Sequence, residues 1–321
     1  MGKMSDGQES ADIVEDILEL QVPVEKQKCG FIALLGAPNA GKSTMLNAMV
    51  GTKVSIVTQK AQTTRAQIRG VVTRGDTQIV FIDTPGVFAP KRRLDRAMVK
   101  SAWTGAGDAD FVALLIDADH GVTPEVDRLL SGLAKNNNPR LLVLNKIDKV
   151  RREDLLALAA EVNKRLDFEQ TFMVSALKGS GLEDFIKWTV AHVLPGPWHF
   201  PPDQLTDLTL ALTAAEVTRE KIFLRVHEEI PYNITVETEQ FKVQKDGSYR
   251  ISQVIYVTRE GHKKIILGKG GQSIKAIGAA SRRDLSEMFD TKVHLFLFVK
   301  VRQNWTDDPG RYREMGLDFH D

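Results

Sequence analysis

Gly36-Ala37-Pro38-Asn39-Ala40-Gly41-Lys42-Ser43 decides the fold of this chain. Its spacing, a glycine, four residues and then Gly-Lys-Ser, is that of a loop that wraps a polyphosphate. The apolar run Phe31 to Leu35 precedes it, and an amphipathic run, Thr44 to Val50, comes after. A strand feeding a glycine loop that opens a helix aims backbone N–H groups and the positive helix end at one point, where a phosphate sits. Lys42 then reaches the terminal phosphates as a point charge, and the Ser43 hydroxyl ligates Mg²⁺. An ordinary glycine turn beside a surface lysine has the same spacing, so the loop gains its meaning only together with the motifs downstream.

Around the loop, short apolar runs alternate with amphipathic helical stretches from Cys29 to about Leu194, the pattern of a mostly parallel sheet with helices on both faces. Strands are expected over 30–36, 67–74, 77–83, 110–117, 140–145 and 170–175, and helices over 43–50, 92–101, 123–134, 151–165 and 181–192. Gly75-Asp76 predicts an antiparallel hairpin between the second and third strands. In such sheets ligands bind at the carboxyl ends of the strands. The third strand ends in Asp83-Thr84-Pro85-Gly86. There Asp83 can hold Mg²⁺ through water, and Gly86 can offer its N–H to the terminal phosphate and swing when that phosphate leaves. The fifth strand ends in Asn145-Lys146-Ile147-Asp148. Guanine presents two donors on one edge, N1–H and the 2-amino group, and one carboxylate, Asp148, accepts both. Adenine would leave that carboxylate unpaired, and such a site rejects the wrong base by roughly 10⁴-fold. The motif therefore selects GTP over ATP, with Asn145 bracing the phosphate loop and the Lys146 stem covering the ring. Ser175-Ala176-Leu177 closes the sixth strand, where the Ala176 N–H is expected to meet guanine O6. Between the loop and Asp83 runs Gln59-Lys60-Ala61-Gln62-Thr63-Thr64-Arg65-Ala66. A GTP switch needs a threonine hydroxyl to complete the Mg²⁺ shell, and the sequence leaves Thr63 and Thr64 both open.

These five motifs resemble the translation-factor class of GTPases, and Gly-x-Pro-Asn-x-Gly-Lys-Ser followed by Gln-Thr-Thr-Arg is similar to the Era family. Val87 follows Gly86 where Ras-like proteins carry a water-positioning glutamine, so that group is lacking. Asn39 stands where related GTPases use an asparagine to ligate a monovalent cation. Slow, K⁺-assisted hydrolysis without a side-chain base is the expectation. Ala37 departs from the family's usual arginine and is expected to face solvent.

The segment from Pro195 to Pro202, with four prolines and a glycine around Trp198, cannot continue a helix and marks a linker, set at 195–212. A second domain, 213–305, then reads as a helix over 214–230, two strands over 232–243 and 249–257 joined around Asp246-Gly247, and Ile265-Ile266-Leu267-Gly268-Lys269-Gly270-Gly271-Gln272-Ser273-Ile274. A helix through Phe289 and a strand bearing Val293, Leu295, Leu297, Val299 and Val301 on one face complete it. This order resembles an α+β type II KH domain, following the α/β P-loop domain of 29–194. The glycines let backbone lie against about four single-stranded nucleotides while Lys269, with Lys263, Lys264 and Lys275, neutralises phosphate. His294, Phe296 and Phe298, on the last strand's other face, are expected in the core. Lys91-Arg92-Arg93 reads as a solvated helix start that can alternatively touch RNA or the second domain, and Trp305 and the 306–321 tail carry no evident chemistry.

Composition sets outer limits. With 321 residues, 42% hydrophobic and 26% charged, the chain is long enough for two domains. A net charge of +1 hides the local basic patch between Arg259 and Arg302. The single Cys29 excludes internal disulfides and fits a reducing cytosol. No apolar run approaches the roughly 18 residues that span a bilayer, so no integral membrane protein is expected. The first 28 residues are acidic, unlike a targeting leader, and are expected to form a mobile tail with a short helix around Ile13, Val14, Ile17 and Leu18 as the other option.

The Era resemblance implies binding of GTP and GDP with Mg²⁺, K⁺ as an activator of hydrolysis, and contact with the 3′ end of small-subunit (16S) rRNA in 30S assembly. It also implies a cytoplasmic monomer that associates peripherally with the inner membrane. Two rivals stand beside it: an RNA-binding checkpoint protein that senses GTP with negligible turnover, and a GTPase of membranes or tRNA modification. The second rival needs transmembrane, helical or folate-binding parts that the sequence lacks.

Overall fold

A computed structural model describes residues 22–319 apart from 59, 61–62 and 227–229. The expected acidic tail through residue 21, together with Gln59, Ala61 and Gln62, lies outside the described residues.

Six strands form the first sheet: β1 (Lys28–Gly36), β2 (Ile68–Arg74), β3 (Thr77–Asp83), β4 (Phe111–Asp117), β5 (Arg140–Asn145) and β6 (Gln170–Val174), in the order β2-β3-β1-β4-β5-β6. Every pairing is parallel except the β2–β3 hairpin. The strands read as near-continuous apolar runs because both faces are covered. On one face α1 (Lys42–Val50) and α5 (Leu182–His192) pack Leu46, Met49, Phe185 and Ile186 against Ile32, Leu34 and Val143. On the other, α2 (Arg93–Asp108), α3 (Pro124–Leu133) and α4 (Arg152–Arg165) bury Ala102, Leu129 and Leu158 with Ala33, Leu35 and Leu144.

Helix α2 runs past the expected residue 101 to Asp108. Within that extension Gly105 leaves room for the Gln67 amide, which lies 2.8 Å from where a Cβ would be. After α5 the chain crosses the β2–β3 end of the sheet: the Trp198 indole donates to Asp76 O at 3.2 Å, and the His199 and Phe200 amides donate to Gln78 Oε1. Helix α6 (Leu210–Arg225) then starts inside the span expected as linker, capped by the Thr209 hydroxyl, which accepts from the Leu212 amide.

The second sheet has strands β7 (Ile234–Val243), β8 (Tyr249–Val257) and β9 (Val293–Val301), with β7–β8 antiparallel and β8–β9 parallel. Helices α6, α7 (Glu260–Leu267) and α8 (Gln272–Met288) cover one face, burying Ile222, Phe223, Val226, Ile230, Ile266 and Ile277. Two expectations need correction here. Phe296 and Phe298 are not core: they are 42% and 53% exposed on the sheet's uncovered side. Strand alternation tells which residues share a face but not whether a second layer covers it. The C-terminal segment is not featureless either. Trp305, Tyr312 in the short helix α9 (Pro309–Glu314) and Leu317 just beyond it pack on Leu94, Ala97 and Met98 of α2.

Candidate nucleotide and nucleic-acid sites

The loop between β1 and α1 closes as its spacing predicts. Gly41 adopts φ 98°, and a Cβ there would lie 2.1 Å from the Asn145 amide nitrogen. Asn145 Nδ2 donates to Ala40 O at 2.8 Å, so the end of β5 braces the loop. Gly86 is pinned differently, by steric contact with Pro38, whose Cα lies 2.9 Å from where a Cβ would be. Lys42 is buried and donates to Gly36 O and Ala37 O at 3.2 and 3.0 Å. That burial, partly offset by Asp83, brings its ammonium down to about 8. Ala37 is half-buried against the α2–α4 side of the sheet rather than free in solvent. Asn39 is exposed with φ 64°, and Thr44 lines the cleft beside Ser43.

At the end of β3 the hydroxyls of Ser43, Ser55 and Thr64 converge on Asp83 Oδ2 at 2.6, 2.8 and 3.2 Å, and Ser43 and Thr64 lie 2.9 Å apart. Thr63 turns away to the Thr58 hydroxyl and Lys60 O. The structure thus separates two threonines that the sequence could not. Asp83 is fully buried, burial pushes its carboxyl above the usual range, and its Oδ1 has no hydrogen-bond partner among the described residues. A buried carboxylate with a spare oxygen beside two hydroxyls suits a hard, oxygen-ligated divalent cation. Thr84 donates to Leu34 O, and Val87 is buried in the core with its amide on Gly36 O, so it cannot orient a water.

The base-side motifs converge at the ends of β5 and β6. Lys146 donates to Asp117 at 2.5 Å, and Asp148 is exposed, with the Ser175 hydroxyl at 2.6 Å holding its carboxyl below the ordinary range. Ala176 N–H, expected to face guanine O6, donates instead to Asn145 Oδ1 at 3.0 Å. Leu177 is 80% exposed at the rim.

Sequence reasoning missed the element that closes this cleft. Its volume is about 1090 Å³, and beside the phosphate loop it is lined by Phe223 and Leu224 of α6, a helix of the second domain. The polar side of α6 grips the segment from Lys53 to Arg65. Glu220 accepts from Lys53 at 2.5 Å and from the Val57 amide at 3.0 Å, Arg219 donates to Thr63 O, and Lys60 caps the helix through Phe223 O and Val226 O. Arg65 is buried, donates to Ile234 O at 2.6 Å and Pro231 O at 3.0 Å, and lies over the Phe223 and Trp305 rings. Ala66 comes next, half-buried. Arg92 reaches Asn233 at 2.9 Å, so the Lys91-Arg92-Arg93 cluster does touch the second domain.

The same helix borders a second cleft, of about 840 Å³, lined by Leu224, Arg225, Ile265, Ser273, Ala280 and Arg283 among others. The Gly268–Gly271 loop lies between α7 and α8, with Gly268, Gly270 and Gly271 all at positive φ and Lys269 exposed. Lys264 and Lys275 are exposed and Lys263 half-buried nearby. Leu224 and Ile265, exposed apolar residues beside Arg225 and Arg283, form an apolar-floored, basic-rimmed channel that glycine spacing alone does not reveal.

Residues 31–146 match the family model described as 50S ribosome-binding GTPase, and residues 229–306 match the KH domain model. The chain is 56% identical over 310 residues to GTPase Era of Sinorhizobium medicae, covering 97% of this chain and 99% of that one. It is 59% identical over 292 residues to GTPase Era of Rhizobium meliloti, covering 91% and 93%. Two similar crystal structures, each 38% identical with a TM-score of 0.85 over 90% of this chain and 99% of the other, are Era with MgGDPNP and nucleotides 1506–1542 of 16S ribosomal RNA, and an Aquifex aeolicus Era variant with GDP and aluminium fluoride.

Proposed function

The chain belongs to the Era family of GTPases, and on that premise we propose that it binds the 3′ end of small-subunit (16S) rRNA under control of its nucleotide, in assembly of the 30S subunit. The observation that carries this reading is helix α6. One helix closes the nucleotide cleft through Phe223, grips the switch segment through Arg219 and Glu220, and borders the basic channel through Leu224 and Arg225. The RNA-bound relative supports the choice of ligand.

In this reading the N–H groups between Gly36 and Thr44, Pro38 having none, and the Lys42 ammonium hold the phosphates, and Ser43 and Thr64 would bind Mg²⁺ directly with Asp83 acting through water. When bound, Mg²⁺ neutralises charge on the phosphates as they separate. Thr64 reports the third phosphate, and Gly86 offers its N–H to it. Asp148 selects guanine, Lys146 covers the ring, and Asn145 and Ala176 keep the two base motifs in register. With Val87 buried, the residue after Gly86 supplies no base, and Asn39 at the cleft mouth would hold a K⁺, which when bound would offset transition-state charge. Across the linker, Gly268, Gly270 and Gly271 admit RNA backbone while Lys263, Lys264, Lys269 and Lys275 contact phosphate. The protein acts as a monomer in the cytoplasm, with at most peripheral contact to the inner membrane; no helix among the described residues is long and apolar enough to cross one.

Steady-state phosphate release in K⁺ and in Na⁺ tests the catalytic half. Slow turnover that is faster in K⁺, with the difference removed by Asn39→Ala, is expected. Turnover equally K⁺-sensitive in that variant refutes the role of Asn39, and negligible release by the wild type favours the checkpoint reading.

A further inference from the structure

The second sheet has a face that the RNA channel does not use. His294, Phe296, Phe298 and Lys300 of β9 stand beside Arg250, Ser252, Val254 and Tyr256 of β8 on the side away from α6, α7 and α8. The C-terminal segment covers one end of it: Arg311 lies 4.3 Å above the Tyr256 ring and pairs with Glu237. The other end is open. There Phe296 and Phe298 expose 42% and 53% of their surface, and the Arg250 guanidinium lies 4.9 Å over the Phe296 ring.

We propose that this open end is a second single-stranded RNA contact, in which Phe296 and Phe298 each stack one base while Lys242 and Arg250 neutralise the backbone. The proposal rests on the RNA-binding reading above and extends it to a separate surface. Aromatic rings two residues apart on one strand face are about 6.6 Å apart along the strand, a step that one extended nucleotide covers. Sheets that bind single strands use aromatics in this way to stack two or three bases. The surroundings favour RNA over an apolar protein partner. The two rings are neighbours on β9, and polar residues border them: His294 precedes Phe296 on the same face, and Arg250 and Ser252 lie across on β8. At the open end Lys242 and Arg250 face out beside His294, which has Asp246 close by, while Glu237 and Glu239 are already paired with Arg311 and Lys300. An arginine already lying over one ring adds a second plane for a base.

The test uses the full chain loaded with GDPNP and fluorescein-labelled oligo(A), read by anisotropy for wild type, Phe296→Ala/Phe298→Ala, Phe296→Tyr/Phe298→Tyr and Lys269→Asp. The alanine pair is expected to weaken binding by about tenfold or more, the tyrosine pair to retain it, and the alanine effect to persist in a Lys269→Asp background. Exposed rings predict an unchanged thermal midpoint for the alanine pair. An alanine pair within about twofold of wild type overturns the proposal whatever Lys269→Asp does. A pair that leaves RNA affinity intact but dissolves a dimer in sedimentation overturns it in favour of self-association. Loss in the alanine pair with none in Lys269→Asp supports this face and tells instead against the glycine-loop channel.

Discussion

Glu220→Gln is the perturbation that most directly separates the two jobs of α6. Glu220 is 3% exposed, and its carboxylate accepts from Lys53 at 2.5 Å, Lys221 at 2.9 Å and the Val57 amide at 3.0 Å. Glutamine keeps an oxygen for Val57 but turns its amide donors toward two ammonium groups. Hydrogen bonds to charged groups contribute about 1.5–3 kcal/mol each, against about 1 kcal/mol for neutral ones. Lys53 can rehydrate, with 30% of its side chain exposed, and Lys221 keeps Asp284. The net loss is therefore about 1.4 kcal/mol, close to a single charge-assisted bond made neutral. If the GTP-ordered switch segment acts on the RNA channel through this contact, the ratio of RNA affinities in the GDPNP and GDP states falls by about tenfold. Coupling is reciprocal, so RNA should lose the same factor in its effect on GDPNP affinity. The assay is anisotropy of a labelled oligonucleotide of the 16S 3′ end, with each nucleotide at saturation. An unchanged ratio, with both affinities preserved, would show that α6 does not couple the two sites; loss of RNA binding equally in both states would make Glu220 a fold residue.

Thr64→Ala should weaken Mg²⁺-dependent GDPNP binding by about 10- to 100-fold while Thr63→Ala changes it little, as titration calorimetry with and without Mg²⁺ would show; equal effects would remove the distinction drawn from their hydroxyls. Because Lys42 in the free protein sits at about 8 and bound phosphates favour its charged form, nucleotide binding takes up a proton above that pH. GDP affinity should be flat below about pH 7 and fall by about tenfold per unit above about pH 8, and a flat profile to about pH 9.5 would mean that Lys42 stays charged without nucleotide. Trp305→Ala removes a fully buried ring that roofs Arg65 and should cost about 3 kcal/mol, lowering the thermal midpoint of the unit that loses it by about 6–12 °C. A midpoint within about 2 °C of wild type would mean that the C-terminal segment contributes little to docking.

The phosphate loop, the aspartate turn and the guanine motif were legible because each depends on a local chain geometry that only certain residues at fixed spacing provide, such as Gly41 at positive φ beside Asn145. The same holds for the strand and helix order of both sheets, read from apolar runs and from Gly-Asp and Asp-Gly turns. The features that escaped depend on the partner surface. Arg219 and Glu220 look like the solvated side of an amphipathic helix, yet both are buried because the switch segment lies across them. Thr63 and Thr64 are adjacent and chemically identical, and only the path of the chain sends one hydroxyl to Asp83 and the other to Thr58. Phe296 and Phe298 alternate like core residues because both faces of a strand can be apolar, whereas burial depends on a covering layer that here lies over Tyr256 and leaves the two rings exposed. Trp305 carries no motif, and its place against α2 is set by long-range packing.

Nucleotide-controlled rRNA binding is most sharply tested by RNA crosslinking in lysate, comparing wild type with Gly268→Asp/Gly271→Asp in the presence of GTP and then GDP. Recovery of the small-subunit rRNA 3′ end with wild type, stronger with GTP and lost in the double variant, is the predicted result. Recovery of no RNA in either state would contradict it, leaving a GTPase whose second domain serves some other partner.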